Sequence, residues 1–126
     1  MQACQLAVKV NENDAEAWNN LGMVYRRQND VKAARMAYER AIEIFPAFAE
    51  AHNNLGCISN DSAERVRLFR IAIEIKPDLA ESWKNLAVAY VEQGDDKLAW
   101  ICIQKCQELD FAVPPELVSR VRERLP

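Results

Sequence analysis

The sequence predicts an all-α chain, an α-solenoid of stacked antiparallel helical hairpins closed by a C-terminal capping helix. Three observations predict it. The first is composition: 126 residues, 50% hydrophobic, with only 3 glycines and 5 prolines, so strong helix formers fill most of the chain. The second is internal repetition, which decides the fold wherever it is present. The run AEAWNNLG, Ala15 to Gly22, returns as AEAHNNLG, Ala49 to Gly56, and more loosely as AESWKNLA, Ala80 to Ala87. The third is periodicity. Trp18, Leu21 and Tyr25 fall at i, i+3 and i+7, one face of a helix.

The chain divides by this pattern into five segments. Residues 1–14 read as the second helix of a partial hairpin, because Ala7, Val8 and Val10 align with Ala41, Ile42 and Ile44, and Cys4 aligns with Tyr38. The expectation is that the native protein extends N-terminally or that another element covers this helix. Residues 15–48 form a full hairpin. Asn29-Asp30 lies between its helices, where Asn tolerates the left-handed turn and Asp caps the next helix. Ala34, Tyr38, Ala41 and Ile42 repeat the helical spacing behind that turn. Gly22, Gly56 and Ala87 are small because two helices approach closely there. Residues 49–79 form a hairpin three residues shorter, with the loss between Gly56 and Arg65 and the turn at Asn60-Asp61-Ser62. Three residues are about 4.5 Å of helix, so the middle first helix should end nearly a turn early. That shortening either leaves a notch beside Tyr25 and Tyr90 or is repaired by local packing.

Residues 80–113 form the last hairpin, turning at Gly94-Asp95, and residues 114–126 form the capping helix. Pro114-Pro115 breaks the chain and Pro115 suits a first helical turn. Leu117, Val118, Val121 and Leu125 then make one apolar stripe. Arg120, Arg122 and Arg124 form a solvated face or, alternatively, meet an acidic partner. Pro46 and Pro77 keep successive hairpins from fusing into one helix. Each hairpin covers only part of its apolar face alone, so neighbours must stack to complete a core.

These residues resemble the tetratricopeptide repeat (TPR) family, whose pattern runs aromatic, Leu, small, Tyr, Ala, aromatic, Ala, Pro. In residues 15–48 the positions hold Trp18, Leu21, Gly22, Tyr25, Ala34, Tyr38, Ala41 and Pro46. The third hairpin keeps Trp83, Leu86, Ala87, Tyr90 and Ala99, then departs with Ile103, Cys106 and Phe111. The middle one has His52, Leu55, Gly56, Phe69, Ala72 and Pro77, lacks the Tyr, and carries Arg65 where Ala is usual. The resemblance covers roughly residues 1–113 and implies a superhelix whose first helices line a concave, peptide-binding groove.

Carried onto this sequence, the resemblance places Glu16, Asn19, Asn20, Met23, Arg26 and Arg27 on that face. From the second hairpin come Glu50, Asn53, Asn54 and Cys57, and from the third Glu81, Lys84, Asn85, Val88, Val91 and Glu92. Asn20, Asn54 and Asn85 are equivalent, and an amide can both donate to and accept from a peptide backbone. Local hydrogen bonding between helices is the alternative for them. Glu16, Glu50 and Glu81 fall in first turns, where a carboxylate offsets the helix dipole. Members that grip a chaperone's C-terminal carboxylate use Lys and Arg at positions held here by Asn19, Met23, Asn54, Glu81 and Asn85. Only Asn54 matches, so that clamp is expected to be absent.

The expected function is a non-catalytic scaffold or adaptor holding a protein or peptide partner. The alternatives are a module of a larger, even catalytic, protein, or a scaffold that self-associates as a homo-oligomer through the N-terminal helix. A net charge of −3 argues against nucleic acid and anionic membranes. No apolar run is long enough for membrane insertion, and Met1 to Val10 is not a secretory signal. No phosphate loop, HExxH or GxSxG occurs, so neither enzyme chemistry nor a cofactor is expected. His52 replaces a repeat tryptophan and reads as a packing residue. Cys102 and Cys106 share a helix face but lack the partners of a zinc site. Together with Cys4 and Cys57 they read as small hydrophobes of a reducing, cytoplasmic compartment, with no metal.

Overall fold

The structure, a computed structural model, describes residues 14–126. The expected partial helix over 1–14, and the self-association assigned to it, lie outside the described residues except for Asp14. All regular structure among the described residues is helical. The seven helices are α1 (Ala15–Arg27), α2 (Val31–Ile44), α3 (Ala49–Ile58), α4 (Ser62–Ile75), α5 (Ala80–Glu92), α6 (Asp96–Glu108) and α7 (Pro115–Arg124). They fall into two compact units that meet in sequence between Ile58 and Ser59. In the first unit α1 packs on α2, α2 on α3, and α1 touches α3. In the second unit α4 packs on α5, α5 on α6, and α6 on α7.

Aspartates start four of the helices. Asp14, Asp30, Asp61 and Asp95 accept hydrogen bonds from the backbone N–H of Ala17 (3.2 Å), Ala33 (3.1 Å), Ala63 (3.1 Å) and Leu98 (3.2 Å). Each satisfies a donor that the helix cannot. Three helices end alike. Asn29, Gly94 and Asp110 sit at φ of +61°, +78° and +56°. The N–H after each bonds back to the carbonyl of Tyr25, Tyr90 and Cys106, every time at 2.9 Å. This is the left-handed Schellman ending. Asn29 and Gly94 fit the sequence reading, whereas Asp110 carries no glycine signal. Its carboxylate also lies at the negative end of α6, an unfavourable place. Asp110→Gly is therefore expected to stabilise the protein by about 0.5–1 kcal/mol, read as a raised denaturation midpoint.

The close approach expected at Gly22 is present. A Cβ built there would stand 2.5 and 2.6 Å from ring carbons of Tyr38, so α1 and α2 touch through the bare backbone. Tyr38, Ala34 and Ala41 are wholly buried around that contact. Burial pushes the Tyr38 phenol up from its ordinary value of 10.0, against the opposing pull of Arg26. In the second unit the core is built from Leu68, Phe69, Ala72, Leu86, Ala87, Ala99 and Ile103. Of the apolar stripe of α7, Val121 is 0% exposed and Leu117, Val118 and Leu125 are half-buried, and α7 packs on α6. Arg124 reaches Asp96 at 3.7 Å and Arg122 stands 5.4 Å over the Trp100 ring, so two of the three arginines of α7 help hold the cap.

α3 has 10 residues, against 13 in α1 and in α5. Ser59 stands where those helices carry Tyr25 and Tyr90. Its hydroxyl accepts from the Asp61 N–H at 3.2 Å, so the chain turns here instead of continuing the helix. Arg65, the residue out of pattern, makes a two-pronged ion pair to Glu92 on α5 at 2.7 and 2.9 Å. A small residue would pack against the neighbouring helix at this place. The arginine instead clamps the end of α5 from its flank.

Candidate peptide-binding surface

On α1 the packing positions are taken by Ala17, Leu21 and Gly22. What remains is a stripe at i, i+4, i+7 and i+11: Glu16, Asn20, Met23 and Arg27, all exposed, with Arg26 exposed beside it. Met23 is 38% exposed, an apolar side chain flanked by polar ones. Met23, Arg26, Arg27 and Asn29 line a hollow of about 310 Å³ at the C-terminal end of α1.

Two expected surface residues need correction. Asn19 and Asn53 are 6% and 3% exposed, so both belong to the interior of the helix packing. Asn54 explains part of this. Its Nδ2 donates to Asn19 Oδ1 at 2.9 Å, which ties α3 to α1 inside the first unit. For this asparagine the helix-to-helix hydrogen bond is the observed role. Asn53, Asn85 and Glu50 also take part in interactions within the protein. Of the three equivalent asparagines only Asn20 is exposed, while Asn54 and Asn85 are half-buried.

On α5, Glu81 is exposed and Lys84 and Asn85 are half-buried. Val91 is buried and Glu92 is held by Arg65, so neither offers a free side chain. Glu16, Glu50 and Glu81 each lie in the first turn of their helix, where the dipole accounts for them.

His52 takes the place of a repeat tryptophan in function as well as position. It is buried, and its Nε2 lies 2.9 Å from the Pro46 carbonyl. Trp83 Nε1 donates to the Pro77 carbonyl at 2.8 Å across the same sequence interval. A carbonyl only accepts, so Nε2 carries the His52 proton. Both rings pin the loop before their helix. The two cysteines of α6 are interior. Burial pushes the Cys102 thiol up to about 12 from 9.0, with Cys106 adding to the rise. Burial also raises Cys106, against the pull of Lys84. Such thiols stay protonated and unreactive. No cluster of metal-ligating side chains occurs among the described residues, and no described helix is long and apolar enough to cross a membrane.

Two tetratricopeptide repeat models match the chain, over residues 15–48 and 80–112, together more than half of it. A peroxisomal targeting signal receptor of Candida glabrata is 42% identical over 55 residues, 44% of this chain and 9% of the receptor. A probable UDP-N-acetylglucosamine–peptide N-acetylglucosaminyltransferase SPINDLY of Hordeum vulgare is 36% identical over 109 residues, 79% of this chain and 12% of the transferase. The chain thus spans about a tenth of the length of these relatives. The crystal structure of YrrB, a TPR protein, superposes with a TM-score of 0.80 at 23% identity, covering 85% of this chain and 57% of YrrB. The chain belongs to the tetratricopeptide repeat family, whose repeats are protein-interaction modules.

Proposed function

We propose that the chain is a non-catalytic adaptor that holds a peptide or partner protein on its first helices, in a reducing cytoplasmic setting. The observation that carries this reading is the stripe on α1. Asn20, Met23, Arg26 and Arg27 take little part in the packing of their own unit and present an amide, a thioether and two cations side by side. Met adapts to varied apolar contacts, and an amide with two guanidiniums suits peptide carbonyls and carboxylates. In the second unit, taken by itself, Glu81, Lys84 and Asn85 of α5 offer a similar set of charged and amide groups. One N–H of the Asn54 amide already serves Asn19, so this asparagine is taken up in holding α3 to α1. The similarity to a targeting-signal receptor supports a peptide as the ligand. The similarity to SPINDLY supports a second reading, in which the module serves within a longer, catalytic protein.

The test uses ligands selected from a displayed library of random peptides. The Asn20→Ala/Met23→Ser/Arg27→Ala variant should keep its helical circular dichroism and lose about tenfold or more in affinity, some 1.4 kcal/mol. Unchanged affinity in the folded variant contradicts the assignment.

A further inference from the structure

The second helix of each hairpin carries an outer stripe at equivalent places, and α4 departs from the other two. On α2 the stripe pairs its charges within the helix, Arg35 with Glu39 and Arg40 with Glu43. On α6, Lys105 pairs with Glu108, and Trp100 lies under Arg122. On α4 the charges are transposed. Arg70 stands where α2 has Glu39, and Ile71 where α2 and α6 have Arg40 and Lys105. Arg67 replaces Met36 and Ile101, and Val66 replaces Arg35 and Trp100. Among the described residues neither Arg67 nor Arg70 forms an ion pair, and Glu74 one turn on forms none with Arg70.

These residues line a hollow of about 330 Å³ on α4, together with Gln93, which follows α5. Val66 and Ile71 are half-buried in it, while Arg67, Arg70 and Glu74 are exposed. The volume accepts one or two aliphatic side chains. Two unpaired guanidiniums at i and i+3 flank it, placed to receive carboxylates two-pronged.

We infer that this face of α4 is a second docking site, for an acidic peptide segment of a partner protein that carries an aliphatic anchor between carboxylates. Charge complementarity selects the occupant. The hollow carries two arginines against the single carboxylate of Glu74, a local excess of positive charge in a chain of net charge −3, so beside its apolar floor it favours an acidic segment over a basic or neutral one. The aliphatic anchor buries Val66 and Ile71, and its flanking carboxylates engage Arg67 and Arg70. Affinity should therefore fall as salt is raised. The site is independent of the α1 stripe.

The probe is a fluorescein-labelled acidic peptide, Glu-Asp-Leu-Leu-Asp-Glu, compared with its Gln/Asn isostere and with a version whose leucines are serine. The acidic leucine peptide is expected to bind, and both control peptides to bind about tenfold more weakly or worse. Arg67→Gln/Arg70→Gln should remove most of that binding, as should Ile71→Ser, whereas the α1 stripe variant should keep it. Both arginines are exposed, so an unchanged thermal midpoint is expected for their variant. The inference is overturned by equal binding of the isostere or by no binding at millimolar peptide. It is equally overturned by loss of binding only in the α1 variant, or by displacement of the peptide by phosphatidylserine vesicles, which would make a lipid surface the occupant.

Discussion

Gly22→Ala lowers the stability of the first unit by about 1–2 kcal/mol, the net of two opposed effects. Replacing glycine inside a helix gains about 1 kcal/mol of propensity. Against this, the new methyl would lie 2.5 Å from Tyr38 Cε1 and 2.6 Å from Cδ1. These atoms belong to a ring that is 0% exposed and cannot swing aside. The helices must separate or the ring must leave its rotamer, and overpacking of this kind costs typically 1–3 kcal/mol or more. The denaturation midpoint should fall by roughly 5–10 °C. A double mutant separates this cause from a general loss. In Gly22→Ala/Tyr38→Leu the methyl enters space the ring has vacated, so the combined loss should be smaller than the sum of the two single losses. Additive losses would contradict the contact.

Alkaline pH destabilises the second unit, and Cys102 is the main cause. Its thiol has a native value of about 12, against 9.0 when unfolded. Above pH 9 the unfolded chain gives up this proton while the native chain keeps it. The unfolded state then binds fewer protons, so stability falls as pH rises. The contribution is complete below pH 9 and is lost between pH 9 and about 12, a span worth on the order of 4 kcal/mol. Cys106 adds to the fall, and Tyr90, raised by burial from 10.0, joins it above pH 10; Tyr38, raised the same way, acts in the first unit. Cys102→Ala should lose about 1 kcal/mol at pH 7 through the missing sulfur. It should also flatten the decline between pH 9 and about pH 12. An equally steep decline in the variant would show that the thiol is not responsible.

The elements were legible in the sequence because their signals are local. Asp30 and Asp95 cap helices through their own backbone neighbours, and Gly94 or Asn29 ends a helix by its own φ. Gly22 was legible because repetition put a small residue at the same place in each hairpin. What escaped depends on which side of a helix faces its neighbour. Asn19 and Asn20 are adjacent and chemically identical, yet one is buried and the other exposed. Polarity alone cannot assign the two. Arg65 could be seen as out of pattern, but its partner Glu92 lies 27 residues away and only packing brings the pair together. The α4 face left a readable trace, since it has Arg70 and Ile71 where α2 has Glu39 and Arg40. That trace emerges only when second helices are compared stripe by stripe. Asp110 left none, because a left-handed turn without glycine or asparagine is unmarked.

We propose that the exposed stripe of α1, and not the buried asparagines beside it, meets the partner. Backbone and side-chain amide NMR of the labelled protein, titrated with a library-selected peptide, tests this most directly. The largest shifts are expected on Asn20, Met23, Arg26 and Arg27, with the Asn54 side-chain amide little moved because Asn19 already holds it. Shifts concentrated away from α1, or a released and strongly shifted Asn54 amide, would contradict it.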